Sequence, residues 1–484
     1  MISVIRRPGA RYPDPSAAFA PSERYPEYRF GPIAPGANPV YAMVRSLFTQ
    51  LGLDAARSGT PAWNPLGEWI RPGAQVFVLS NFVYHKRPHE SVQDFNGKVV
   101  HGSVLRALID YVLIATGESG RVLVGNAPLQ SCRFDDVLAD SGTAAMLDFY
   151  RASGASVESA DLRAEVVERD RVGRVRRREL RSGPGTAVEI DLGRDSLLDG
   201  IAMTSGDAPH FRVSDYNPDR TEGFHARGSH RYVMARSVLA SDTVISVPKL
   251  KTHEKVGITC VVKGFVGAVA RKDCLAHHRF GSPAAGGDEY PARLGFLKPV
   301  SRYHDWVNRR AEGAPAQALA QVIDVTARRA LRRMGADSAG AWYGNDTAWR
   351  MAVDLARIVH HADVDGVMRD APQRRHLALI DGIVAGEGDG PLSPTGVDAA
   401  SLIFADGVLD ADLAACRLMG FDPADIATVR FAESVTPWAL PASSGLSGIA
   451  IDNGARIATG ELAPAIGRSF APPRGWRGHL GDNR

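Results

Sequence analysis

DTVISVPKLKTHEKVGITCVVKGFVGAVARKDCLAHHRFG occupies residues 242–281. Its opening, residues 243–247, is short, apolar and β-branched, which predicts a strand buried on both faces. Pro248 then interrupts pairing, because it has no N–H to donate. Lys249, Lys251 and His253 follow at alternate positions. In an extended chain, side chains two apart share a face. Two ammonium groups and an imidazole are therefore expected to point one way at the end of a buried strand. In open α/β sheets, ligands sit in the crevice beyond the strand C-termini. Crowded like charges cost energy unless something anionic answers them. The segment thus calls for a carboxylate, a phosphate or an acidic cluster. Residues 255–269 predict a helix with Thr259 and Lys263 on one face. Its N-terminus would add partial positive charge for an anion.

Working outward, residues 74–80, 120–124 and 155–160 predict strands, separated by helices at 103–116 and 141–153. Strand–helix–strand units of these lengths are right-handed βαβ units. The expected fold is α/β: a doubly wound, mostly parallel sheet. Two departures are expected, a small antiparallel β excursion at 162–195 and a helical insertion at 293–370. The excursion carries Arg171, Arg174, Arg177 and Arg178, balanced by Glu165, Glu168 and Glu179, which reads as a solvated face. Residues 1–73 read as an arm and a helix, 74–431 as the α/β domain, and 432–484 as an irregular tail.

The 484 residues are 44% hydrophobic with a net charge of +3. That supports a large core and gives no global field of the kind that binds nucleic acid. No uninterrupted apolar run approaches the roughly 18 residues of a membrane span. The N-terminal MISVIRRPGARYPDP lacks the apolar stretch of a secretory signal. The expectation is a cytoplasmic protein of bacterial type. Cys132, Cys260, Cys274 and Cys416 are scattered without a CxxC pair, so neither a disulfide framework nor an iron–sulfur cluster is expected.

PKLKTH at 248–253, the helix expected to carry Thr259, Lys263 and Gly264, and a downstream His resemble the family catalogued as domain of unknown function 362. LIDGIVAGEGDGPLSPTG at 379–396 and DADLAACRLMGFDP at 410–423 are similar to that family's C-terminal signature. The resemblance runs from about residue 76 to 431. The family carries Lys-Asn where this chain has Lys263-Gly264, and many relatives have cysteine-rich ferredoxin-like segments that this chain lacks. A looser, fold-level similarity to nickel-dependent lactate racemase implies an isomerase or racemase of hydroxy acids.

The candidate catalytic residues are Lys249, Lys251, His253, Lys263 and His277. Lysines crowded by cations acquire lowered pKa values and serve as bases or Schiff-base nucleophiles, and imidazoles carry protons near neutrality. Thr252, Thr259, Arg271, His278, His85 and Arg87 complete a rim for substrate. The loop of His210, His225 and His230 reads as a cap over the site mouth. Asp381, Glu387 and Asp389 stand on what reads as a glycine-rich loop, where hard oxygen ligands suit Mg²⁺; nickel follows from the racemase likeness. The alternative is that these acids pair with Lys249 and Lys251. The functional expectation is an enzyme acting on a small anionic metabolite by acid–base or metal-assisted chemistry. Its rival is a non-catalytic binding or accessory protein for such an anion, in polysaccharide or cofactor assembly.

Overall fold

Short β-branched runs separated by helices build one eleven-stranded sheet. The computed structural model describes residues 1–170, 175–181, 185–202, 211–214, 216–310, 315–336 and 339–481. Arg171, Arg174 and His210 lie outside them. The principal strands are β1 (Ile2–Arg6), β2 (Gln75–Ser80), β3 (Arg121–Asn126), β4 (Val157–Asp161), β5 (Thr243–Val247), β6 (Lys249–His253), β7 (Arg375–Asp389), β8 (Ser393–Ala405), β9 (Ile449–Asp452) and β10 (Ala455–Ala458). Their spatial order is β10-β9-β1-β8-β7-β5-β2-β3-β4, with β6 lying on the later half of β7.

The five strands from β4 to β7 are parallel neighbours. The chain winds outward from β2 through β3 to β4. It then returns to β5 on the other side of β2 and continues to β7. The winding reverses between β2 and β5, which is where doubly wound sheets place their ligand crevice. Both faces of the sheet are covered, as alternation along β2 shows: Val76 and Val78 pack into one core, Phe77 and Leu79 into the other. The helices Pro39–Gln50 and Gly102–Thr116 cover the first face, and Ala348–His361 and Val408–Leu418 the second. The segment Val92–Thr116 is long and apolar enough to cross a membrane by composition, but 89% of that apolar window is buried within the fold.

Four sequence expectations change. First, residues 381–390 are not a loop for most of their length. β7 runs unbroken to Asp389 and pairs antiparallel with β8, with one irregularity between Gly382 and Val384. Glycines in and just after it permit close approach of neighbouring chain: a Cβ on Gly386 would lie 2.5 Å from the Gly97 carbonyl oxygen, and one on Gly390 2.0 Å from that of Thr252. Second, the helix expected over 255–269 shrinks to Cys260–Gly264 and a 3₁₀ turn at Phe265–Ala268. Gly257, at φ +85°, and Ile258 instead turn back to pair with β6. Third, the tail is not wholly irregular, because β9 and β10 extend the sheet beyond β1. Fourth, β1 itself enters the sheet beside β8, so the N-terminal arm is part of the core. The antiparallel excursion is present, as a hairpin of Glu165–Arg169 with Val175–Leu180.

Candidate functional site

Alternation along β6 carries Lys249, Lys251 and His253 into three different settings, with a register shift against β7 between the two lysines. Lys249 is fully buried. Its Nζ donates to Asp381 Oδ2 at 2.7 Å and to the Tyr12 hydroxyl at 2.6 Å. Tyr12 in turn donates to Asp381 Oδ1 at 2.7 Å and stacks on the His101 ring at 4.0 Å. The backbone N–H groups of His101 and Ile383 complete the shell of this carboxylate. Burial lowers the Lys249 pKa and Asp381 opposes that shift. This is a closed ion pair with every partner supplied by the fold.

Lys251 has no carboxylate. Its Nζ donates to the carbonyls of Lys98 at 2.6 Å and Pro391 at 3.4 Å. Burial, then Lys98 and Lys249, push its pKa well below that of a free lysine. Lys98 is held by both oxygens of Glu90 and by the His85 carbonyl. His85 and Arg87 belong to this neighbourhood: the His85 ring accepts from Arg133 N, and Arg87 donates to Ser393 Oγ. Burial lowers the His85 pKa to about 4. Thr252, on the opposite face of β6, donates to the Gly388 carbonyl at 2.8 Å and so fastens β6 to β7.

The third setting is a basic pocket. His253, Lys255, Lys263, Lys272, His277 and His278 lie close enough for their charges to oppose one another. All are buried except His277, which is half-buried. Lys263 is 5% exposed and makes no hydrogen bond or ion pair among the described residues. Burial, then Lys272 and Lys255, lower its pKa to about 7. Lys272 reaches the same value chiefly through burial, although its Nζ donates to the Val266 carbonyl. Burial and the same lysines hold His253 and His277 well below the usual histidine range. His253 Nδ1 accepts from Lys255 N, and His277 Nδ1 bonds the Leu275 carbonyl, which leaves each Nε2 for another partner. His278 Nδ1 has no partner. Thr259 begins the helix behind this cluster and touches the Thr252 carbonyl. Arg271 does not enter it, being engaged with Asp273 at 2.6 Å.

The expected metal ligands are not brought together. Asp381 is enclosed with Lys249. Glu387 is held by Arg468 at 2.8 and 2.9 Å, and Asp389 by Arg474 at 2.7 Å. They are spread along a strand, and each is neutralised by its own cation. No group of three or more metal-ligating side chains occurs among the described residues. The pairing of acids with Lys249 and Lys251 also needs correction, since only Lys249 takes one. The histidine cap is replaced by burial: His225 bonds the Cys274 carbonyl at 2.6 Å, and His230 sits on the strand Ser229–Ala235. The anion expected at the helix N-terminus is the protein's own. Asp412 accepts from the N–H groups of Val261 and Val262 at 2.5 and 2.9 Å, and burial raises its pKa to about 7. Tyr12, Lys98, Lys255, Lys272 and Asp412 were not among the expected site residues.

Fold and site together define a doubly wound α/β protein with a buried, undercompensated basic cluster beside its sheet. Residues 199–417 match the family model described as Domain of unknown function (DUF362). The match contains β5 to β8, the basic pocket and Asp412, and leaves out β2 to β4. No curated protein and no solved structure matches the chain. The likeness to lactate racemase gains no support from these comparisons.

Proposed function

We propose that this protein binds a small carboxylate or phosphate in the basic pocket and acts on it by acid–base chemistry. The supporting observation is Lys263: a buried ammonium site without a counter-ion, ringed by two further lysines and by imidazoles. Leaving such a group uncompensated is costly, and an anionic ligand removes the cost. A pKa of about 7 also suits proton transfer near neutrality. In this reading Lys263 is the acid–base group, and the free Nε2 atoms of His253 and His277 bind the anion or relay its proton. Lys249 is structural, because Asp381 and Tyr12 already satisfy it, and Lys251 is held by two backbone carbonyls.

Proton linkage tests this. An arriving anion favours the protonated forms of Lys263, His253 and His277, so binding takes up protons and tightens as pH falls. Calorimetric titration with inorganic phosphate and with acetate, in buffers of different ionisation enthalpy, measures that uptake. Saturable binding with proton uptake, lost in Lys263→Met, is the expected result. Absence of binding, or binding unaffected in Lys263→Met, overturns the reading. Solvent deuterium entering a bound carboxylate's Cα position separates catalysis from simple binding.

A further inference from the structure

At the reversal of winding, between the C-terminal ends of β2 and β5, lies a cavity of about 10 Å³. Ser80, Asn81, Asn126, Ser246, Cys260 and Gly264 are among the residues that line it. Three of them carry a buried polar atom with no partner: Ser80 Oγ, Asn81 Oδ1 and Ser246 Oγ. Ser80 and Ser246 are themselves 0% and 3% exposed. Asn126 is already committed, donating to the Ser80 carbonyl at 2.6 Å. Folded proteins rarely leave buried polar atoms unpaired, and three in one small space call for a shared occupant. The volume admits one group about the size of a water molecule. Two hydroxyls and a carbonyl oxygen can both donate to and accept from such a group.

The cavity adjoins the basic pocket through one turn of helix. Cys260 and Gly264 line it, and Lys263, three residues on from Cys260, shares that residue's side of the short helix. We infer that the cavity is a hydroxyl subsite of the basic pocket. One uncharged hydroxyl of the ligand enters it and bonds to Ser80, Asn81 and Ser246, while the ligand's anionic group stays with Lys263, His253 and His277. The ligand class is then a small anion that carries a hydroxyl. This rests on the reading of the basic pocket given above, and it adds what that pocket selects.

Gly264 provides the test. Its backbone is helical at φ −59°, and an added Cβ meets nothing within 4 Å. Gly264→Asn therefore starts from a Cβ in open space, and the rest of its side chain exceeds the cavity and closes it to a ligand hydroxyl. Two phosphate monoesters of equal charge, glycerol phosphate and propyl phosphate, are titrated into the wild-type protein and into Gly264→Asn and Ser246→Ala, with melting curves confirming that each variant is folded. The wild type is expected to prefer glycerol phosphate by about tenfold, the worth of one net hydrogen bond. In Gly264→Asn that ratio falls to near one, and in Ser246→Ala it falls part of the way. Equal wild-type affinity for the two esters overturns the subsite and leaves the cavity to a structural water, and so does a preference that survives both substitutions. If neither ester binds, the basic-pocket reading fails and takes the subsite with it.

Discussion

Lys263→Met should make the protein more stable. The lysine is 5% exposed and its pKa falls from the ordinary 10.5 to about 7 on folding. The folded state therefore holds this proton less tightly than the unfolded chain does. Below about pH 7 both states carry it, and the full penalty of burying the charge is present. Between pH 7 and 10.5 only the unfolded chain keeps it, so wild-type stability rises with pH, by about 1.4 kcal/mol per pH unit from this group. Over that interval the penalty at pH 7 is roughly 4 kcal/mol. Methionine has similar length and no charge to desolvate, so Lys263→Met recovers most of it. Urea unfolding of both proteins at pH 7, 8, 9 and 10 measures the effect. The variant should lead at pH 7 and lose its lead as pH rises. Lys272 titrates in the same range and contributes a slope to both proteins. A variant less stable than wild type at pH 7, or one with the wild-type pH slope, would show that the fold already compensates this ammonium. A stability gain combined with lost anion binding is the pattern of a site maintained at the expense of stability.

Asp381→Asn removes the only carboxylate on the fully buried Lys249 and should cost about 3–5 kcal/mol, while Lys249→Met with Asp381→Leu should restore much of it; urea midpoints report both. Asp389→Ala breaks a partly exposed pair with Arg474 and should cost under about 1 kcal/mol, and added Mg²⁺ should shift its melting temperature no more than that of wild type. His376 stacks on His360 at 3.7 Å, and burial holds both residues well below the usual histidine pKa. The unfolded chain gains protons here that the folded chain refuses, so stability falls as pH drops below about 6.5. His376→Phe should therefore raise the urea midpoint at pH 5 more than at pH 7.

The parallel strands were legible because each is a short β-branched run bounded by Gly, Pro or Asp. β7 and β8 were read too short for a related reason. Four glycines between 382 and 390 look like a loop by composition. Here Gly382, Gly386 and Gly388 are strand positions; Leu250 presses against the first, Lys251 and Gly97 against the second, and Thr252 against Gly390 in the turn that follows. Alternation located Lys249 and Lys251 correctly on one strand, but it could not register the irregularity against β7 that separates their surroundings. Tyr12 lies 237 residues from Lys249, and nothing local announces such a partner. Lys255 and Lys272 were nearer to hand, since both fall inside the 242–281 segment. Asp412 could have been found by asking which of the two family-like segments supplies a carboxylate to the other.

The lysines of this region differ mainly in what faces them, and that difference locates the site. Lys249 meets a carboxylate, a phenol and a closed shell of N–H groups; nothing remains for a ligand to supply. Lys251 meets two carbonyl oxygens, which solvate an ammonium partially but do not neutralise it. Lys263, among the described residues, has no acid paired with it and is opposed by Lys272 and Lys255. The protein can supply acids inside this core, as Asp381 and Asp412 demonstrate, and Asp412 accepts from the Val261 and Val262 N–H groups of the very helix that bears Lys263. A carboxylate from the neighbouring helix Val408–Leu418 is thus at hand, yet it is spent on backbone amides and not turned to the ammonium. An uncompensated charge beside an available acid is what a binding pocket requires and what a purely structural core would avoid. The missing negative charge is therefore best assigned to something that arrives from outside the chain.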